Sequence, residues 1–153
     1  MKNNTAFVHV NIVARDWKKL SAFYTDVFGC VPQYPERDMK GEWIDAATGL
    51  HKAHIRGIHL LLPGRKNGPT LEIFQYNDEP DGPINQINSP GIAHIAFQVD
   101  DVEKYTGKVL DGGGSMLGQV TKKEIESVGT ITFVYCRDPE GNIIELQTWE
   151  RRK

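Results

Sequence analysis

The sequence predicts an α+β fold in which one strand–helix–three-strand unit is used twice, and three observations predict it. Phe7-Val8-His9-Val10-Asn11-Ile12 is echoed by Ile92-Ala93-His94-Ile95-Ala96-Phe97, and Thr70-Leu71-Glu72-Ile73-Phe74 by Ile143-Ile144-Glu145-Leu146-Gln147. A shift of 85 positions aligns His9, Asp16, Lys19, Asp26 and Gly29 with His94, Asp101, Lys104, Asp111 and Gly114, and a shift of 73 aligns Gly68 and Glu72 with Gly141 and Glu145. Apolar residues alternate within the echoed segments and recur at helical spacing between them. Self-similarity on this scale marks one supersecondary unit reused. The two shifts differ by 12 positions, so the first copy carries extra residues between its helix and its last strand.

In the first copy, Val8, Val10, Ile12 and Ala14 form one apolar face of a strand, with Phe7, His9, Asn11 and Val13 opposite. Asp16 is placed to cap a helix carrying Trp17, Leu20, Phe23, Tyr24, Val27 and Phe28, with Gly29 as its stop. Three strands are expected next, near Trp43 to Ala47, His54 to Leu61 and Thr70 to Tyr76, with Gly64 and Asn67-Gly68-Pro69 turning into the last. Asn77 to Pro90 is rich in Asp, Asn, Pro and Gly and reads as a connector.

The second copy repeats this order. Ala93, Ile95, Phe97 and Val99 are the core side of a strand, and Asp100 or Asp101 caps a helix ending at Gly112-Gly113-Gly114. Those glycines close a helix instead of opening one, so they do not read as a phosphate loop. A weak strand near Met116 to Val120, a strong one over Thr130 to Cys136 and a last one over Ile143 to Trp149 follow, with Arg137 to Asn142 as the turn between the last two. The organisation expected is one domain over 1–153, with module one at about 5–77, a connector at about 78–90 and module two at about 91–150.

Composition narrows the function classes. A net charge of −2 with scattered basic residues points away from nucleic acid. No apolar run approaches membrane-spanning length, and residues 1–5 lead straight into a strand without a signal-peptide core. Cys30 and Cys136 are far apart and lack any CxxC spacing, which fits packing thiols in a cytoplasmic protein.

Strand parity then picks out the chemistry. His9 and His94 oppose the apolar sets that meet the helices, and Glu72 and Glu145 oppose Leu71, Ile73, Ile144 and Leu146. All four project from the face that the helices leave open, as on a curved sheet wrapped around a site. Ionisable groups on such a surface are costly without a partner, and imidazole with carboxylate suits a divalent first-row metal. His51, His54 and His59 have no counterpart in the other copy and are expected to be structural or exposed. Asn11, Phe74, Tyr76, Gln98, Gln147 and Trp149 share parity with the four and are candidate pocket residues, and Arg56 is a candidate for meeting an anionic substrate.

The chain resembles the vicinal oxygen chelate superfamily, which includes glyoxalase I, methylmalonyl-CoA epimerase, extradiol dioxygenases and bleomycin- or fosfomycin-resistance proteins. The resemblance rests on His9 followed by Asp16 and Leu20-Ser21-Ala22-Phe23-Tyr24 up to Phe28-Gly29, on Gly91 to Asp101, and on Asp138-Pro139-Glu140-Gly141-Asn142-Ile143-Ile144-Glu145-Leu146. It implies two tandem βαβββ modules forming a curved, cup-like mixed sheet with helices on the outer face. It also implies one divalent metal ion (Zn, Ni, Co, Mn or Fe(II)) on His9, Glu72, His94 and Glu145, and a homodimer. Two His with two Glu is the glyoxalase I pattern, whereas epimerases of the family commonly carry an amide where this chain has Glu72. Glutathione-handling members carry an arginine where this chain has Val13, and Asn77 is one position away from their asparagine, which points away from glutathione. The implied function is a metal-dependent lyase or isomerase acting on a small molecule with adjacent oxygens. Glu145 is the first choice of proton-transferring carboxylate and Glu72 the second. An epimerase-like isomerase, an iron-dependent extradiol dioxygenase and an antibiotic-binding resistance protein are the alternatives.

Overall fold

The structure, a computed structural model, describes residues 5–151. The chain divides into two compact units with the boundary between Asp81 and Gly82, inside the segment read as the connector.

The first unit contains β1 (His9–Val13), α1 (Trp17–Phe28), β2 (Val31–Lys40), α2 (Glu42–Thr48), β3 (His54–Leu61) and β4 (Thr70–Tyr76). Its sheet has the order β1-β4-β3-β2, with β1 parallel to β4 and the other pairs antiparallel. Asp16 caps α1 by accepting from the Lys19 N–H at 3.1 Å, which contributes roughly 1 kcal/mol, and Gly29 ends the helix at φ 70°. The buried face of α1 packs on β3 and β4, where Leu60, Leu71 and Ile73 are fully enclosed.

One expected strand is a helix instead. Residues 43–47 lie in α2, where Ile44 is buried and Trp43 is 60% exposed. A short apolar run does not distinguish strand from helix, and here Asp45 decides by accepting from the Lys52 and Ala53 backbone N–H groups at 2.9 and 2.8 Å. The strand that takes its place, β2, holds Pro32, Pro35 and four charged residues. It tolerates them because it is an edge strand with an irregularity between Gln33 and Arg37. Ile44 packs with Ala53, Ile55 and Phe74, so α2 lies over one end of the face opposite α1.

The second unit contains β5 (Ile95–Gln98), α3 (Val102–Asp111), β6 (Ser115–Met116), β7 (Thr121–Ile125), β8 (Gly129–Arg137) and β9 (Ile143–Arg151). Its order, β5-β9-β8-β6 with β7 also on β8, repeats the first. Asp101 caps α3 through the Lys104 N–H at 2.9 Å, and Val102, Val109, Val134, Ile144 and Leu146 form the core beneath it. Gly114 follows the helix because a Cβ there would stand 2.4 Å from the Arg137 carbonyl oxygen. Buried Asp138 accepts from the Glu140 and Asn142 N–H groups and the Asn142 amide, locking the turn before β9. Among the described residues no helix is long and apolar enough to cross a membrane.

Candidate metal centre

In the first unit, register places the chemistry. Glu72 in β4 lies between Asn11 of β1 and His59 of β3, and His9 stands one alternation along from Asn11. Strand pleating points these side chains to the same face. The Glu72 residue is 9% exposed, and its two oxygens are shared out: Oε1 is 2.9 Å from His59 Nε2, and Oε2 is 3.2 Å from His9 Nε2 and 3.3 Å from Asn11 Nδ2. His59 is held at its other nitrogen, Nδ1 lying 3.1 Å from the Thr70 hydroxyl, and its ring meets the Phe74 ring edge-on at 5.8 Å. Burial keeps the His59 imidazole below its ordinary pKa; the Arg37 and His9 charges add to this and Glu72 opposes it. Neutral imidazole is the form that binds metals.

One ligand atom from each of His9, His59 and Glu72 lies within 4.8 Å of the others. The donor set fits a divalent first-row ion by type. The three ligand atoms are close enough together to meet one ion.

The second unit has the same plan with a different member. Glu145 in β9 lies between Ala96 of β5 and Tyr135 of β8. His94 Nε2 is 3.0 Å from Glu145 Oε2, and the His94 ring meets Tyr135 at 5.2 Å. His94 Nδ1 is buried with no hydrogen-bond partner among the described residues. Burial, reinforced by the Glu145 charge, raises the Tyr135 pKa and keeps the phenol protonated.

His59 corrects the sequence reading, which set it aside for want of a counterpart. Its counterpart is Tyr135, on the strand position beside each glutamate. The signal was present in the hairpin: a turn centred on residues 65–66 pairs Leu61 with Thr70 and hence His59 with Glu72.

The structure places the other candidates as follows. Asn11 donates to Glu72. Phe74 is buried and, with half-buried Tyr76, belongs to the α2 cluster. Trp149 donates to the Gln147 side chain at 2.9 Å, and Gln98 is exposed. Arg56 is exposed and pairs in register with Asp38; alternation along β3 sets it on the face away from His59. His54 is 2.7 Å from Asp38, which lowers the Asp38 pKa. Cys30 and Cys136 are buried, and burial pushes their thiols up to about 12 and about 11.

A family model described as Glyoxalase/Bleomycin resistance protein/Dioxygenase superfamily matches residues 6–146. No curated protein sequence matches the chain. Among solved structures, the chain is similar to a glyoxalase family protein from Bacillus cereus at TM-score 0.74 and 19% identity, covering 96% of this chain and 97% of that one. A glyoxalase/bleomycin resistance protein/dioxygenase domain from Frankia sp. aligns at TM-score 0.60 and 17% identity, over 97% and 100%. A glyoxalase I variant from Zea mays aligns at 0.64 and 19%, over 92% of this chain and 43% of that one.

Proposed function

The chain belongs to the Glyoxalase/Bleomycin resistance protein/Dioxygenase superfamily, and from that premise we propose that it is a metal-dependent lyase or isomerase of the glyoxalase type. The observation that carries this reading is the convergence of the His9 and His59 Nε2 atoms on the buried Glu72 carboxylate. In this proposal His9, His59 and Glu72 are the first unit's metal donors, and His94 and Glu145 keep the ligand roles that the family resemblance assigns. A bound divalent ion supplies Lewis acidity, drawing charge from adjacent substrate oxygens and making a neighbouring C–H bond more acidic.

The residues themselves divide the remaining work. Glu72 accepts from the Asn11 amide and stands between the His9 and His59 imidazoles, so with both Nε2 atoms on the ion its carboxylate keeps one fixed donor. Glu145 has Ala96 where Glu72 has Asn11, so with His94 Nε2 on the ion no amide fixes its carboxylate and it is freer to turn and carry a proton. Glu145 is therefore the proton-transferring carboxylate and Glu72 the second candidate. Gln98, Gln147, Trp149 and Asn11 are proposed to line the path of a small substrate. A cytoplasmic homodimer belongs to the same proposal.

A second reading has its own support. Two histidines and one carboxylate with open positions is the donor set of non-haem Fe(II) oxygenases, and His9, His59 and Glu72 supply that set within one unit. The test begins with metal analysis of protein purified without chelators. About one ion per chain is expected, and protein that neither retains nor takes up a divalent ion would leave a non-catalytic binding role. Solvent deuterium exchange into α-hydroxy ketones or hemithioacetals supports the lyase or isomerase; oxygen uptake with catechols in its place supports the dioxygenase.

A further inference from the structure

A second recognition feature adjoins the His59 side of the proposed centre. A cavity of about 580 Å³ in the first unit is lined by Arg37, Arg65, Gln33, Asn67, Thr70 and His59 at its polar positions and by Phe7, Val8, Gly68 and Pro69 elsewhere. Its size lies within the usual range for small-molecule pockets. Register explains the location: Gln33 is opposite His59 and Arg37 opposite Gly57, so β2 presents both to the face that carries His59. The β3–β4 turn supplies Arg65 and Asn67.

The charge on these walls is one-sided. No Asp or Glu is among the lining residues, and among the described residues neither guanidinium has a carboxylate partner. Arg37 is half-buried and donates to the Pro35 carbonyl oxygen. Arg15, by contrast, is paired with Asp81 at 2.8 Å. Two planar forks without an acid beside them match the bidentate geometry of a carboxylate or phosphate.

We propose that this cavity is an oxyanion site: Arg37 and Arg65 seat a phosphate or carboxylate group of the substrate beside His59. Resting on the metal-centre reading, this assigns the substrate class as a small anionic molecule. Arg37 and Arg65 are positioning residues; no bond forms or breaks at them.

The test uses the full chain, first without metal. Inorganic phosphate and malonate are titrated separately while backbone amides of Asn67 and Gly68 and the Arg37 Nε–H are followed by NMR. Saturable shifts at those sites are expected with at least one probe, and the preferred probe tells phosphate from carboxylate. Arg37→Gln and Arg65→Gln are each expected to weaken binding roughly 10-fold, the double variant to abolish it, and Arg15→Gln to leave it unchanged. Arg65 lies in an exposed turn, so its variant tests the site even where Arg37→Gln disturbs β2. Zinc affinity, measured in parallel, is expected to stay within about 3-fold in both variants, which separates failure of this site from failure of the metal centre. Absence of saturable binding by either probe, or binding unaffected in the double variant, overturns the proposal.

Discussion

The two units share strand order, helix position and a histidine–glutamate pair, yet they treat that glutamate differently. Glu72 is shared among His9, His59 and Asn11, whereas Glu145 meets His94 with Ala96 and Tyr135 as its flanking residues. The aromatic support has also changed strands. Phe74 lies beside Gly57 in the first unit, while the corresponding pair in the second is Gln147 beside Phe133. The lesson is that a duplicated scaffold fixes where a carboxylate sits, and its cross-strand neighbours fix how firmly it is held. On the proposed function, the first copy holds its carboxylate and the second leaves its carboxylate free to move.

Breaking the shared scaffold has the largest expected effect. Leu71 and Ile144 are fully buried at equivalent places, the residue before each glutamate, and changing either to Ala is expected to cost about 2–5 kcal/mol. Denaturant titration checks this, and a large difference between the two variants would show that the cores are not equivalent.

The glutamates should separate the two roles. Glu72→Gln is expected to weaken zinc binding about 100-fold or more, beyond the roughly 10–100-fold that changes outside the ligand shell cost. Glu145→Gln is expected to weaken it less while removing turnover. Calorimetric zinc titration and proton-exchange rates on both variants decide the matter, and equal losses of affinity would remove the distinction between holding and moving copies.

A smaller effect sharpens the aromatic comparison. A Cβ at Gly57 would stand 2.1 Å from the Ile73 carbonyl oxygen and 2.6 Å from Phe74 Cδ1, so Gly57→Ala is expected to cost about 1–3 kcal/mol and to displace the ring that supports His59. The smallest difference concerns the thiols. With burial holding Cys30 and Cys136 up to about 12 and about 11, thiolate fractions at pH 8 are about 10⁻⁴ and 10⁻³. A disulfide reagent is expected to leave both units unmodified until the protein unfolds, and rapid labelling of one native thiol would contradict equal packing.

Much of this was legible in the residues. Repetition of His9 and Glu72 at His94 and Glu145 revealed the doubled unit, and the capping aspartates Asp16 and Asp101 gave both main helices. Periodicity failed where few residues are buried. Only Ile44 anchors α2, and β2 is an edge strand whose prolines and charges hide its pairing. His59 escaped because repetition was the criterion used, and the position it fills holds Tyr135 in the other copy. Hairpin pairing, being independent of repetition, would have found it.

The central claim is that His59 joins His9 and Glu72 in holding the ion. It is tested most directly by following the imidazole nitrogens of ¹⁵N-labelled protein during zinc titration. The Nε2 signals of His9 and His59 are predicted to move together to metal-bound positions and to saturate near one equivalent. A His59 Nε2 signal still at its metal-free position when zinc binding is complete would contradict the account.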